Sequence, residues 1–243
     1  MFDHVTIRAA DRAASVRFYN TVLQTLGIDE SYRTNTISEW QDFLVTGADA
    51  EHLVTRRLHI GFAAPDRDRV DQFWQAGVDA GYADDGRPGP RPEYGEDYYG
   101  GFLLDPDGNS AEACHHDTLR ANGIVDHLWI RVADLSSARD FYDTIAPHAG
   151  LHKDRDSAER VQYHGEAGSF SLLPGEATEH LHMAFPTRDD GDVHGFHESA
   201  VSAGYRSNGQ PGERPRHHPG YYAAFVLDPD GNNIEVVNHH RDR

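Results

Sequence analysis

The chain has 243 residues, 38% of them hydrophobic, and a formal net charge of −18. That length and apolar content support one large core or two ordinary ones and argue against global disorder. The negative charge repels nucleic acid and anionic membrane surfaces, so neither is an expected partner.

The opening MFDHVTIRAA alternates and reads as a strand rather than a signal peptide. No apolar run approaches a membrane span, and a cytoplasmic location is expected. Asp11 then stands as a helix N-cap, with Ala14, Phe18, Val22 and Leu26 on one face and Gly27 closing the helix. Two or three short strands follow, through SEWQDFLVT. LHIGFAA begins the plan again as a strand, and its helix uses Val70, Phe73, Trp74 and Val78 before Gly81. The Pro/Gly-rich DGRPGPRPEYGED reads as a surface loop. After it come the strand YYGGFLL, the tight turn DPDGN and the strand SAEAC.

The second half repeats this order. His4 matches His127, His59 matches His182 and Glu112 matches Glu235, each pair 123 positions apart. Phe18-Tyr19 and Phe141-Tyr142, Gly81-Tyr82 and Gly204-Tyr205, and Tyr98-Tyr99 and Tyr221-Tyr222 keep the same offset. A duplicated domain is expected, with 1–116 and 124–243 as the copies and 117–123 as the join. The expected fold class is α+β, a tandem repeat of paired βαβββ modules forming curved half-open mixed sheets.

His4 and His59 open strands, and Glu112 lies on the last strand of its repeat. A glutamate in an apolar strand requires a partner, because an unpaired buried carboxylate is costly. Two imidazoles and one carboxylate suit a divalent transition metal with open positions; the alternative is structural histidines inherited through duplication. Cys114 is the only cysteine, which excludes an internal disulfide and a cysteine-based zinc knot. Histidine is abundant at 17 residues, and the pair His239 and His240 is expected at the surface.

The phrases DHVTI and DHLWI, LHIGF and LHMAF, and LDPDGNSAE and LDPDGNNIE resemble the vicinal oxygen chelate superfamily. Its members include glyoxalases, extradiol dioxygenases, fosfomycin-resistance transferases and bleomycin-resistance proteins. The resemblance covers nearly the whole chain, twice. It implies metal ligands His4, His59 and Glu112, then His127, His182 and Glu235. Within one domain these form the two sets just given; across domains they regroup as His4 with His182 and Glu235, and His127 with His59 and Glu112. The metal would be iron, manganese, zinc, nickel or cobalt.

Strand alternation places Thr6 and Arg8 on the His4 face, and Trp129 and Arg131 on the His127 face. Tyr98 and Phe102 share a face, as do Tyr221 and Phe225, and Cys114 shares the face of Glu112. Glu112, Glu235, Thr6 and Arg8 are the expected catalytic residues. Arg131, Tyr98, Phe102, Trp129, Tyr221 and Phe225 are expected to bind substrate. The arginines either hold an oxygen-rich substrate or close a strand-end salt bridge. Extradiol dioxygenases and fosfomycin transferases of the family usually carry a tyrosine ten residues before the final glutamate. Phe102 and Phe225 stand there and cannot donate a hydrogen bond, which argues against both reactions. A fourth glyoxalase-type ligand would fall near Asp42, whose approximate counterpart is Phe170.

The expected function is that of a metal-dependent enzyme acting on a small oxygen-rich molecule chelated through neighbouring oxygens. The alternative is a drug-binding protein of the bleomycin-resistance kind. A monomer or homodimer is expected. If each site forms within its own repeat, Thr6 makes the first pocket roomier than the one holding Trp129, and chemistry concentrates at His4, His59 and Glu112.

Overall fold

The computed structural model describes residues 1–119, 122–166 and 168–240. Four βαβββ modules follow one another. The first comprises β1 (His4–Ala9), α1 (Arg12–Leu23), β2 (Tyr32–Arg33), β3 (Ile37–Trp40) and β4 (Phe43–Gly47). The second comprises β5 (Leu58–Ala63), α2 (Arg67–Asp79), β6 (Ala83–Pro90), β7 (Tyr99–Leu104) and β8 (Ser110–His115). The third comprises β9 (Val125–Val132), α3 (Leu135–Ala149), β10 (His152–Asp156), β11 (Val161–His164) and β12 (Ser169–Pro174). The fourth comprises β13 (His182–Thr187), α4 (Asp190–Ser202), β14 (Ser207–Glu213), β15 (Tyr222–Leu227) and β16 (Asn233–Asn238).

Every helix starts on an aspartate. The side chains of Asp11, Asp66, Asp134 and Asp189 accept from backbone N–H groups of the first turn, which would otherwise lack partners. A short 3-10 turn, Gln24–Leu26, extends the first helix to Gly27, whose φ of 78° closes it. The stretch expected as a Pro/Gly-rich loop is partly strand, because β6 takes in Pro88 and Pro90. It lies at the edge of its sheet and pairs with β7 through two register shifts. An edge strand needs N–H groups on one side only, so proline is tolerated there.

The DPDGN turns are tied back to the helices. Asp105 accepts from the backbone N–H groups of Asp107 and Asn109, from Asn109 Nδ2 and from the hydroxyl of Tyr19. Asp228 has the same partners one repeat later, with Tyr142 at 3.4 Å. The repeated Phe-Tyr pair thus has a structural use: phenylalanine packs in the core and tyrosine anchors the turn that leads into the last strand.

The modules pair across the repeats. One eight-stranded mixed sheet runs β14-β15-β16-β13-β1-β4-β3-β2, and the other runs β10-β11-β12-β9-β5-β8-β7-β6. The first module therefore shares a sheet with the fourth, and the second with the third. Both sheets are curved and open, and one continuous apolar core joins them. Residues 120 and 121, in the middle of the expected join, lie outside the described residues. At its end, Asp42 Oδ1 accepts from the backbone N–H of Ile124 at 2.8 Å, which ties the start of β9 to the first module. Among the described residues no helix is long and apolar enough to cross a membrane.

Candidate metal centres

Strand register assembles two donor sets. His4 on β1 lies opposite Ala184 on β13, and Ala184 lies beside Glu235 on β16, while Thr6 lies opposite His182. On the other sheet His127 lies opposite Gly61, which lies beside Glu112, and Trp129 lies opposite His59. The structure thus brings together His4, His182 and Glu235, and separately His59, Glu112 and His127. His4, His59 and Glu112 do not form one site, and the cause is the pairing of modules across the repeats.

In the first set, His182 Nε2 is 2.9 Å and His4 Nε2 is 3.6 Å from Glu235 Oε2. In the second, His59 Nε2 is 2.9 Å and His127 Nε2 is 3.2 Å from Glu112 Oε2, and the two nitrogens are 3.3 Å apart. The outer ring nitrogens are held from behind. His4 Nδ1 is 2.8 Å from Asp3 Oδ1, and His127 Nδ1 is 3.0 Å from Asp126 Oδ2. Burial opposes the charge of both aspartates, but their histidine partners outweigh it and hold both far below the usual carboxylate range. An ionised carboxylate only accepts, so each Nδ1 carries the proton. Ser110 Oγ donates to Asp85 at 2.7 Å and accepts from His59 Nδ1 at 3.1 Å. Asn233 holds His182 Nδ1 at 2.8 Å, and a half-turn of its amide exchanges donor for acceptor there.

The free oxygen of each glutamate is anchored as well. Tyr221 donates to Glu235 Oε1 at 2.6 Å, and Tyr98 donates to Glu112 Oε1 at 2.8 Å. Burial and the adjacent carboxylates push both phenols up, so they stay neutral donors. Burial works against ionised Glu112, but hydrogen bonds from His127 and His59 prevail and hold it down to about 2. Glu235 is likewise lowered, through His182 and His4. His4 is raised because Asp3 and Glu235 outweigh its burial; for His182 burial wins and the shift is downward.

Each set converges atoms that bear lone pairs and leaves a proton or a cation to sit between them. A tetrahedral ion with bonds of about 2.0–2.1 Å spaces such donors by about 3.3 Å, close to the 2.9, 3.2 and 3.3 Å at Glu112. Anchored outer nitrogens that direct Nε2 inward are the usual support of a ligand histidine. The residues present fit a divalent metal.

The two surroundings differ. The His4–His182–Glu235 set opens into a cavity of about 1480 Å³ whose lining includes Thr6, Arg8, Leu44, Arg214, His217 and Phe225. At the other set Trp129 lies against His59, ring centres 5.2 Å apart, and Tyr94 meets the indole edge-on at 5.0 Å. Arg160 stacks over the same indole at 5.4 Å. The roomy position and the crowded one are therefore Thr6 and Trp129, as their sizes imply. The roomy site, however, belongs to Glu235 rather than to Glu112.

The remaining expected residues are placed as follows. Arg131 is exposed and lies along Gly175. Phe102 and Phe225 pack under Arg91 and Arg214, at 5.2 and 5.5 Å. Asp42 caps β9 and joins neither donor set; Phe43 pairs with Val5 and Phe170 with the equivalent Leu128, so the counterpart of Phe170 is Phe43 and that of Asp42 is Ser169. His239 is not a loose surface residue: its Nε2 is 2.7 Å from Asp3 Oδ2 and its Nδ1 is 2.7 Å from His218. His240 is 2.7 Å from Asp190. Asp3 and Asp126 were overlooked in the sequence, although each precedes its histidine in a repeated Asp-His pair.

Fold and donor sets together define a two-repeat α+β protein with metal-centre geometry on each of two open sheets. The sequence profile of the Glyoxalase/Bleomycin resistance protein/Dioxygenase superfamily matches residues 1–113 and again 124–236, and the chain belongs to this superfamily. Among solved structures it is similar to glyoxalase I from Zea mays, at 17% identity and a TM-score of 0.72, covering 98% of this chain and 92% of that one. It is also similar to a putative dioxygenase from Bacillus subtilis, at 14% identity and a TM-score of 0.66, covering 100% and 87%. At these identities the likeness establishes the fold. No curated protein sequence matches.

Proposed function

We propose that the protein is a metal-dependent vicinal oxygen chelate enzyme whose working site is His4, His182 and Glu235. The observation that carries this reading is the pairing of a fully supported two-histidine, one-glutamate set with an open cavity. The substrate is a small oxygen-rich molecule that presents two neighbouring oxygens. A divalent transition ion there supplies Lewis-acid stabilisation of negative charge on a substrate oxygen.

The chain's own residues do the rest. Arg8 lines the cavity two strand positions beyond Thr6, where its fork binds a carboxylate or similar oxygen pair. Thr6, opposite His182, offers a hydroxyl to a substrate oxygen. Glu235 Oε2 faces the histidines, while Tyr221 fixes its other oxygen. Arg8 is half-buried, and that burial lowers its pKa against the pull of Asp49; it remains a cation at neutral pH.

The test is elemental analysis after reconstitution with manganese, which takes oxygen and nitrogen donors in preference to a thiol. Wild type takes up metal stoichiometrically, and His59→Ala combined with His182→Ala removes it. Wild-type metal content in that double variant would overturn the assignment.

A further inference from the structure

Behind the His59–Glu112–His127 set lies a second group of donors. Cys114 Sγ is 3.6 Å from Asp126 Oδ2 and 4.0 Å from His127 Nδ1, and that nitrogen is 3.0 Å from Asp126 Oδ2. All three residues are buried, with Cys114 fully so. A tetrahedral ion with bonds of about 2.0–2.1 Å to nitrogen or oxygen and about 2.3 Å to sulfur sets nitrogen–oxygen spacings near 3.3 Å and sulfur spacings near 3.6 Å. The three separations match these to within about half an ångström. The thiol also lies 3.6 Å from the carbonyl oxygen of Phe62, to which it donates.

The group is supported from outside. His116 Nε2 is 3.1 Å from Asp126 Oδ2, and its ring stacks on Tyr98 at 5.2 Å. Such outer hydrogen bonds orient ligand carboxylates. The other repeat lacks the set, because Val237 stands where the first carries Cys114.

We propose that Cys114, Asp126 and the Nδ1 face of His127 form a buried site for a thiophilic divalent cation of the zinc or cadmium class. Sulfur and imidazole suit such ions better than they suit manganese or magnesium. On binding, bonds form from the cation to Sγ, Oδ2 and Nδ1. The thiol proton leaves to water. The Nδ1 proton of a doubly protonated ring leaves to water as well, and that of a neutral ring moves to Nε2; in both cases Nε2–H then donates to Glu112 Oε2 across 3.2 Å. A ring carrying that proton no longer offers its Nε2 lone pair to His59 and Glu112. The two sites therefore compete for one histidine, and a cation in the thiolate site disables the metal set in front of it.

Cadmium alone is the probe. Cys114 is the only cysteine, so any sulfur-to-cadmium charge-transfer absorption in the ultraviolet reports this site. Wild type and Glu112→Gln are expected to show the band at the strength of one cadmium–thiolate bond per protein chain. Cys114→Val, which installs the residue of the other repeat, is expected to lose it. Loading with a single equivalent of cadmium, which the thiolate takes first, should lower manganese uptake at the His59–Glu112–His127 set in wild type more than in Cys114→Val. Cadmium-loaded wild type without the band overturns the proposal, as does a band that vanishes in Glu112→Gln. Undiminished manganese uptake beside a full band overturns the competition.

Discussion

Tyr221→Phe removes one oxygen atom and tests how the open site is held. The hydroxyl donates to Glu235 Oε1 at 2.6 Å, and both residues are buried, Tyr221 at 5% exposure and Glu235 at 1%. The other carboxylate oxygen faces His182 and His4, so the tyrosine is the anchor of Oε1. A hydrogen bond to a charged group contributes about 1.5–3 kcal/mol, and a buried carboxylate oxygen left without its donor bears that loss in full. Glu235 is then harder to ionise, by roughly 1–2 pKa units. A ligand carboxylate freed from its outer partner rotates, and metal affinity falls about 10- to 100-fold. Phenylalanine keeps the ring's packing, so little else changes. Calorimetric titration with manganese should show one weakened and one unchanged site. Tyr98→Phe should show the same pattern at Glu112. Affinity within about twofold of wild type in Tyr221→Phe, against the expected tenfold or more, would refute the reasoning.

Three further outcomes are expected. Gly61→Ala should cost one metal equivalent from the packed site, because an added Cβ would lie 2.2 Å from His127 Cε1 and must displace the ring; metal counting checks this, and two equivalents retained would contradict it. Metal affinity should rise with pH at both sites, since a cation must displace the proton that a raised imidazole holds. The rise should continue to higher pH at the packed site, where His127 is raised well above its ordinary value as Asp126, Cys114 and Glu112 outweigh burial, than at the open site, where His4 is raised less; manganese titrations between about pH 6 and 9 would show the order. Iron-loaded protein should form no yellow ring-fission product from a simple catechol, because Phe102 and Phe225 offer no hydroxyl; rapid formation of that product would reject the inference.

Much of the fold was legible because its signals are local and occur twice. The aspartate caps, the DPDGN turns and the strand alternation each follow from a few adjacent residues. The six ligand positions stood out because His4, His59 and Glu112 recur at one offset. Their grouping was not legible, since strand partners depend on which modules meet, and the same alternation suits either pairing. The asymmetry between Thr6 and Trp129 was visible as a difference in size, but only the sheet order attaches it to the correct glutamate. Tyr98 and Tyr221 were readable as residues of a shared face. Their bonds to the glutamates depend on side-chain reach across antiparallel strands, which spacing along the chain does not encode. Pro88 and Pro90 misdirected the reading of β6, because edge position is a property of the sheet and not of the segment.

The central claim is that two cation sites form and that each takes ligands from both repeats. Manganese stoichiometry in two double variants tests it most directly, because manganese prefers oxygen and nitrogen donors and avoids the thiol. His4→Ala with Glu235→Gln damages a single site in this structure and should leave one equivalent bound. His4→Ala with Glu112→Gln damages both and should leave none. The reverse pattern, or wild-type content in both variants, would contradict the account.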